Sequence, residues 1–183
     1  MDQIAVVVPL KRFDLAKNRL RRSEGLDVTA LAHQLATSVI QHSAPHHVIV
    51  VSESREVSEF ARALGTEVFE SHARDLNEAV QGACATLGDR FKQVMVVHGD
   101  LRYPSGLGSF FPDAGITIVT DHHQRGTNVL ALPTGVDFKF SYGPDSRRRH
   151  ESEADRLGLE CRVITNSPWS FDVDEPHDLK ELL

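Results

Sequence analysis

The sequence predicts an α/β domain, with a mostly parallel sheet as the middle of three layers and helices on both faces. Three observations carry that expectation. Short apolar runs, Ile4 to Leu10, His47 to Val51 and Val94 to Val97, have strand length and no polar face. Strands of a parallel sheet, buried on both sides, read in this way. The runs alternate with segments whose apolar residues recur at helical spacing, and the runs end in polar or charged loops, where open α/β sheets bind their ligands.

In chain order, the first run leads into Lys11, Arg12, Lys17 and Arg19, four cations in a loop and a first helical turn. Directly after a buried strand, Lys11, Lys17 and Arg19 suit a triphosphate; a solvated basic helix face is the plainer alternative. Leu31, Leu35, Val39 and Ile40 mark a helix within Leu26 to His42, and Val57, Phe60, Ala61 and Leu64 mark another that Gly65 stops. Thr66 to Phe69 reads as a short strand nearer an edge. Asp75 to Glu78 opens the next helix with N-cap chemistry. Asn77, at that start, is placed either to read a base or ribose edge or simply to cap.

The run Val94 to Val97 is the centre of the pattern and ends in His98-Gly99-Asp100. A carboxylate leaving a central strand after a permissive glycine suits a magnesium ion carrying phosphates, or else caps the next turn. Tyr103 to Phe111 is expected to form a short helix, Gly115 to Asp121 a strand, and Gly126-Thr127-Asn128 a polar turn into the strand Val129 to Leu132. Phe138 to Tyr142 alternates and runs into Gly143-Pro144-Asp145-Ser146, opening a helix to about Leu157. Such a helix start presents free N–H groups that bind phosphate or carboxylate, and Arg147 to Arg149 follow. After a last full strand, Arg162 to Thr165, come Asp172 and Asp174, alternate residues of an extended segment that share a face. They either complete a metal site with Asp100, or Asp174 caps the closing helix, Asp178 to Leu183.

Composition narrows the function classes. The 183 residues suit one well-cored domain, 1–183, and 40% hydrophobic with 25% charged residues is ordinary for a globular chain. A net charge of −6 argues against a nucleic-acid partner, which needs a basic footprint. Cys84 and Cys161 lie far apart, without the spacing of a disulfide framework or zinc knuckle. The first apolar run lacks the flanks of a signal peptide and no run approaches a membrane span, so a cytoplasmic domain is expected.

Five motifs, in order, resemble the 2-phospho-L-lactate guanylyltransferase family, which includes phosphoenolpyruvate-using members. They are Lys11 with Ala16-Lys17-x-Arg19-Leu20, His98-Gly99-Asp100-Leu101, Gly126-Thr127-Asn128, Tyr142-Gly143-Pro144-x-Ser146 with His150, and Asp172-Val173-Asp174-x-Pro176-x-Asp178-Leu179. The resemblance implies a Rossmann-like nucleotide-diphospho-sugar transferase fold of the GT-A type. It also implies GTP-dependent transfer of GMP, with magnesium, to a small phosphorylated three-carbon acid in coenzyme F-420 biosynthesis. By similarity, Asp100, Asp172 and Asp174 hold magnesium. Lys11, Lys17, Arg19, Asn77 and Gly99 attend the nucleotide, and Thr127, Gly143 and Ser146 cradle the acceptor. Lys17, Asp100 and Asp174 are the catalytic set. Members of that family often pair, so a homodimer is a further expectation. One departure stands out: the family continues Asp-Leu-Pro-Leu where this chain has Asp100-Leu101-Arg102-Tyr103, which bears on the acceptor's identity more than on the reaction.

Two other readings compete. A molybdenum-cofactor nucleotidyltransferase carries a glycine-rich loop after its first strand, whereas Pro9 to Leu20 contains no glycine. A catalytically silent nucleotide-binding regulator would not need both acidic segments and the basic loop. The pairs His46-His47 and His122-His123 lack a third ligand at metal-binding spacing.

Overall fold

The computed structural model describes residues 2–17, 20 and 26–179. Arg19 and the closing segment beyond Leu179 lie outside them; of the expected last helix, a 3-10 turn Pro176–Leu179 is described. Seven strands, β1 Asp2–Pro9, β2 His47–Ser52, β3 Glu67–Glu70, β4 Phe91–Val97, β5 Ile116–Thr120, β6 Thr127–Pro133 and β7 Cys161–Ile164, form one sheet in the order β3-β2-β1-β4-β6-β5-β7. Every pairing is parallel except those of β6, which runs against both β4 and β5. Connection length explains the exception. Residues 121–126 alone join β5 to β6, and a parallel crossover needs a dozen or more. The reversal brings the first residues of β6 beside the carboxyl end of β4, with Val97 opposite Val129.

Four helices, α1 Val28–His42, α2 Arg55–Ala63, α3 Leu76–Ala85 and α4 Ser146–Leu157, cover the sheet. Asp27, Ser54 and Asp75 cap the first three, each accepting a backbone N–H from the first turn. Alternation along β1 divides the core: Ile4, Val6 and Val8 meet α1 and α2, while Ala5 and Val7 meet the α3 and α4 side. Among the described residues no helix is long and apolar enough to cross a membrane.

One segment departs from its expected form, and another, read only as alternating, finds its partners outside the sheet. Tyr103 to Phe111 contains only a 3-10 turn, Leu107–Ser109. Gly108 there lies so close to the end of α1 that a Cβ would fall 1.7 Å from the Ala44 carbonyl oxygen. Gly108→Ala is therefore expected to destabilise the fold by about 3 kcal/mol, as overpacking against backbone does, read as a lowered urea midpoint. Phe138 to Tyr142 keeps its alternation, with Phe138, Phe140 and Tyr142 buried, yet joins no strand. Side chains make its ladder instead. Lys139 N–H donates to Glu153 Oε1, Phe140 to Gln81 Oε1, Ser141 to His150 Nε2 and Tyr142 to Asn77 Oδ1. The segment is threaded between α3 and α4, and their polar residues satisfy backbone groups that burial would otherwise leave unpaired.

Candidate active site

Asp100 leaves β4 at its carboxyl end, and a short antiparallel ribbon carries the second acidic segment to it. Leu101 bridges Asp172, Arg102 N–H donates to the Phe171 carbonyl at 2.8 Å, and Val173 N–H donates to that of Asp100 at 3.1 Å. Asp100, Asp172 and Asp174 thereby offer carboxylate oxygens that all lie within 4.8 Å of one another. Lys17 enters from the loop after β1 with a left-handed backbone, φ 56°, and its side chain is 6% exposed. Its Nζ donates to Asp100 Oδ2 and, at 2.9 Å, to Asp174 Oδ1.

The electrostatics follow from this packing. Burial alone would lower the Lys17 pKa, but the charges of Asp100 and Asp174 outweigh it and hold the ammonium above its usual value. Burial pushes Asp100 up, yet Lys17 and then His98 bring it below the ordinary carboxylate value. Asp172 is raised, first by burial and then by Asp100 and Asp174; the Asn128 amide, 3.3 Å from its Oδ1, offsets only part. Three carboxylates against one ammonium leave a formal charge of −2, which one divalent cation balances. Hard oxygen donors at this spacing, with Asp100 Oδ1 buried and unpartnered by protein, fit magnesium.

A stability measurement exposes the crowding. Native Asp172 holds its proton more tightly than the unfolded chain does. Metal-free stability from this group is therefore fullest below the ordinary value of 3.8 and declines as pH climbs through the raised one. Asp172→Asn is expected to remove that decline and raise the metal-free melting temperature in chelator at neutral pH, while activity falls.

The other expected residues are placed as follows. Lys11 is exposed after β1, and Gly99 packs where a Cβ would meet Leu10 Cδ2 at 2.2 Å. Asn77 spends both ends of its amide on the Tyr142 backbone, 2.6 Å from its N–H and 3.3 Å from its carbonyl, so it stands as a brace beside the site rather than a free base reader. Asp75, not Asn77, caps α3. Asp178, not Asp174, caps the last turn, its Oδ2 accepting the N–H groups of Asp174 and Glu175 and leaving Asp174 to Lys17.

Thr127, Gly143 and Ser146 do come together. Ser146 Oγ lies 3.3 Å from Thr127 Oγ1, Ser146 N–H donates to the Gly143 carbonyl at 3.1 Å, and Gly143 takes φ 117°, where only glycine sits without strain. The expectation of free N–H groups at this helix start is corrected for its first two residues. Ser146 and Arg147 donate theirs to the carbonyls of Gly143 and Arg125. Arg147 and Arg149 also turn back on the chain, to Glu151 and the Pro144 carbonyl.

Asn128, quoted within a motif but given no role, is the residue that sequence reasoning undervalued. Its amide ties the start of β6 to the Trp169 carbonyl and to Asp172. Among the described residues, Asp100, Asp172 and Asp174 are the one group of three or more acids, histidines or cysteines arranged for a metal.

Comparison with known proteins matches residues 4–183 to the family described as guanylyl transferase CofC like. The chain belongs to that family. It is 31% identical to the phosphoenolpyruvate guanylyltransferase of Sphaerobacter thermophilus, over 100% of this chain and 93% of that one. It is 29% identical to the enzyme of the same name from Chloroflexus aggregans, over 97% and 96%. Relatives at 28% and 25% identity bear the names 2-phospho-L-lactate and 3-phospho-D-glycerate guanylyltransferase, from Methanothermobacter thermautotrophicus and Colwellia psychrerythraea. The fold matches a crystal structure from Desulfovibrio desulfuricans G20 assigned to the nucleotide-diphospho-sugar transferases. The TM-score is 0.77 at 18% identity, covering 100% of this chain and 87% of that one. The CofC-like chain is thus an enzyme of the nucleotidyltransferase type on the fold its sequence predicts.

Proposed function

We propose that the enzyme transfers GMP from GTP to the phosphate of a small phosphorylated three-carbon acid, releasing pyrophosphate, in the making of coenzyme F-420. The observation that carries this reading is the convergence of Asp100, Asp172, Asp174 and Lys17 at the carboxyl end of β4. Phosphoenolpyruvate heads the acceptors, because the relatives nearest 30% identity bear its name; 2-phospho-L-lactate and 3-phospho-D-glycerate follow.

The chemistry needs no protein nucleophile. An acceptor phosphate oxygen attacks the α-phosphorus of GTP, the bond to the bridging oxygen breaks, and pyrophosphate departs. What the protein must supply is alignment of two polyanions and relief of their charge. Magnesium, held by Asp100, Asp172 and Asp174, supplies Lewis-acid neutralisation of phosphate oxygens when bound. Lys17 has a stem long enough to exchange a carboxylate partner for a phosphate oxygen, and Lys11, exposed just after β1, is the second cation assigned to the nucleotide phosphates. Thr127, Gly143 and Ser146 hold the acceptor acid at the start of β6 and α4.

The test is a matrix of nucleoside triphosphates against the three acids with magnesium, read by pyrophosphate release and product mass. Turnover with GTP and at least one of these acids is expected. Equal activity with CTP, or none with any acid, overturns the assignment.

A further inference from the structure

We propose that His150 is a positioning residue that turns the Thr127–Ser146 hydroxyl pair into a hydrogen-bond donor aimed at an oxyanion. The inference rests on the reading of this pair as part of the acceptor cradle, and it follows from counting protons. Ser141 N–H, a backbone donor, lies 3.0 Å from His150 Nε2, so that nitrogen must present its lone pair. The ring's proton then sits on Nδ1, which is 3.0 Å from Thr127 Oγ1 and donates to it.

His150 is fully buried, and burial, Arg149 and His98 hold its pKa down at about 4 against a small upward pull from Glu153, so the ring is neutral. The two hydroxyls bring two protons. One is used between them, across 3.3 Å, whichever way that bond points. The Nδ1 proton already occupies a lone pair of Thr127, so the second hydroxyl proton must leave the three-residue network. Both residues are 2% exposed, and among the described residues the contacts of the two hydroxyls are those with each other and with His150. A buried surplus donor is costly until an acceptor fills it.

The fold says what kind of acceptor. Ser146 opens α4, whose dipole favours negative charge there, and because the N–H groups of Ser146 and Arg147 are already taken, these two residues offer an anion the Ser146 hydroxyl and not the backbone. Thr127 precedes Asn128, which holds Asp172. The hydroxyl pair and the acid cluster are thus anchored on neighbouring residues at the start of β6, and the carboxylate of a phosphorylated acid is the oxyanion that the pair would meet. With the proton on Nε2 instead, the ring would face Ser141 donor to donor and the pair would lose its surplus proton.

Two measurements test this. In a long-range 1H–15N spectrum of the whole protein with labelled histidine, His150 should show a protonated Nδ1 and bare Nε2, unchanged from about pH 5 to 8. His150→Phe should raise the KM for the acceptor acid roughly tenfold to a hundredfold while the KM for GTP stays within about twofold. His150→Asn, which restores an N–H at the Nδ1 position, should recover most of that loss. A ring protonated on Nε2, or parallel rises in both KM values in a folded His150→Phe protein, overturns the proposal; if the variants do not fold, the spectrum decides. That spectrum needs no turnover. A wild type inert with every three-carbon acid yet carrying the Nδ1 proton would sink the acceptor assignment while supporting the proton count.

Discussion

Asp100→Asn is expected to lower kcat by about a thousandfold or more, equivalent to about 4 kcal/mol of transition-state stabilisation, with the fold intact. The substitution keeps the size of the side chain and removes only its charge. Asp100 stands alone among the three acids in leaving the central strand directly, with Oδ2 on Lys17 and Oδ1 buried and unpartnered by protein. Its loss leaves a cation with the two acids of the distant segment and nothing from the sheet. Single-turnover pyrophosphate release checks the rate, and circular dichroism checks the fold. A variant within tenfold of the wild type would mean that Asp100 is not at the reacting phosphate.

Lys17→Met should have two separable effects. The methionine stem replaces the aliphatic chain but brings no charge, so three carboxylates within 4.8 Å face one another without a cation. Breaking a buried ion pair costs about 3–5 kcal/mol; with Asp174 half exposed, about 2 kcal/mol of lost stability in chelator is the expectation here. Saturating manganese should return most of it, because the ion takes over the neutralisation. Activity should not return with it. A fall of about a hundredfold is expected even at saturating metal, as for loss of one preorganised charge contact to the phosphates. Thermal unfolding with and without manganese, set beside kcat, separates the two effects. If metal restored the rate as well, Lys17 would be only a structural counter-charge.

Much of the fold was legible because its strands are buried on both faces. Ile4 to Leu10, His47 to Val51 and Val94 to Val97 are uniformly apolar, and helical spacing between them marks the covering layers. The antiparallel setting of β6 is a matter of loop length, which composition does not display. Phe138 to Tyr142 alternates as a strand would, but its partners are the side chains of Asn77, Gln81, His150 and Glu153 on two helices remote in sequence. That pairing is what turned Asn77 from a candidate base reader into a brace.

The acids at 100, 172 and 174 could be named from their places after a strand and along an extended segment. Their meeting depends on the ribbon of Leu101 with Asp172, a tertiary contact with no local signature. The helix start at Ser146 looked open because a Gly-Pro entry so often is. Here the carbonyls of Gly143 and Arg125 take its first two N–H groups, the second reaching over from the β5–β6 turn.

The most direct measurement is anomalous diffraction at the manganese edge from crystals grown with manganese and a non-hydrolysable GTP analogue. The expected result is an ion bonded to Asp100 and to at least one of Asp172 and Asp174, with Lys17 drawn from its carboxylates onto a phosphate. An ion bound elsewhere, with Lys17 still bridging Asp100 and Asp174 beside the bound nucleotide, would contradict the shared-cation site.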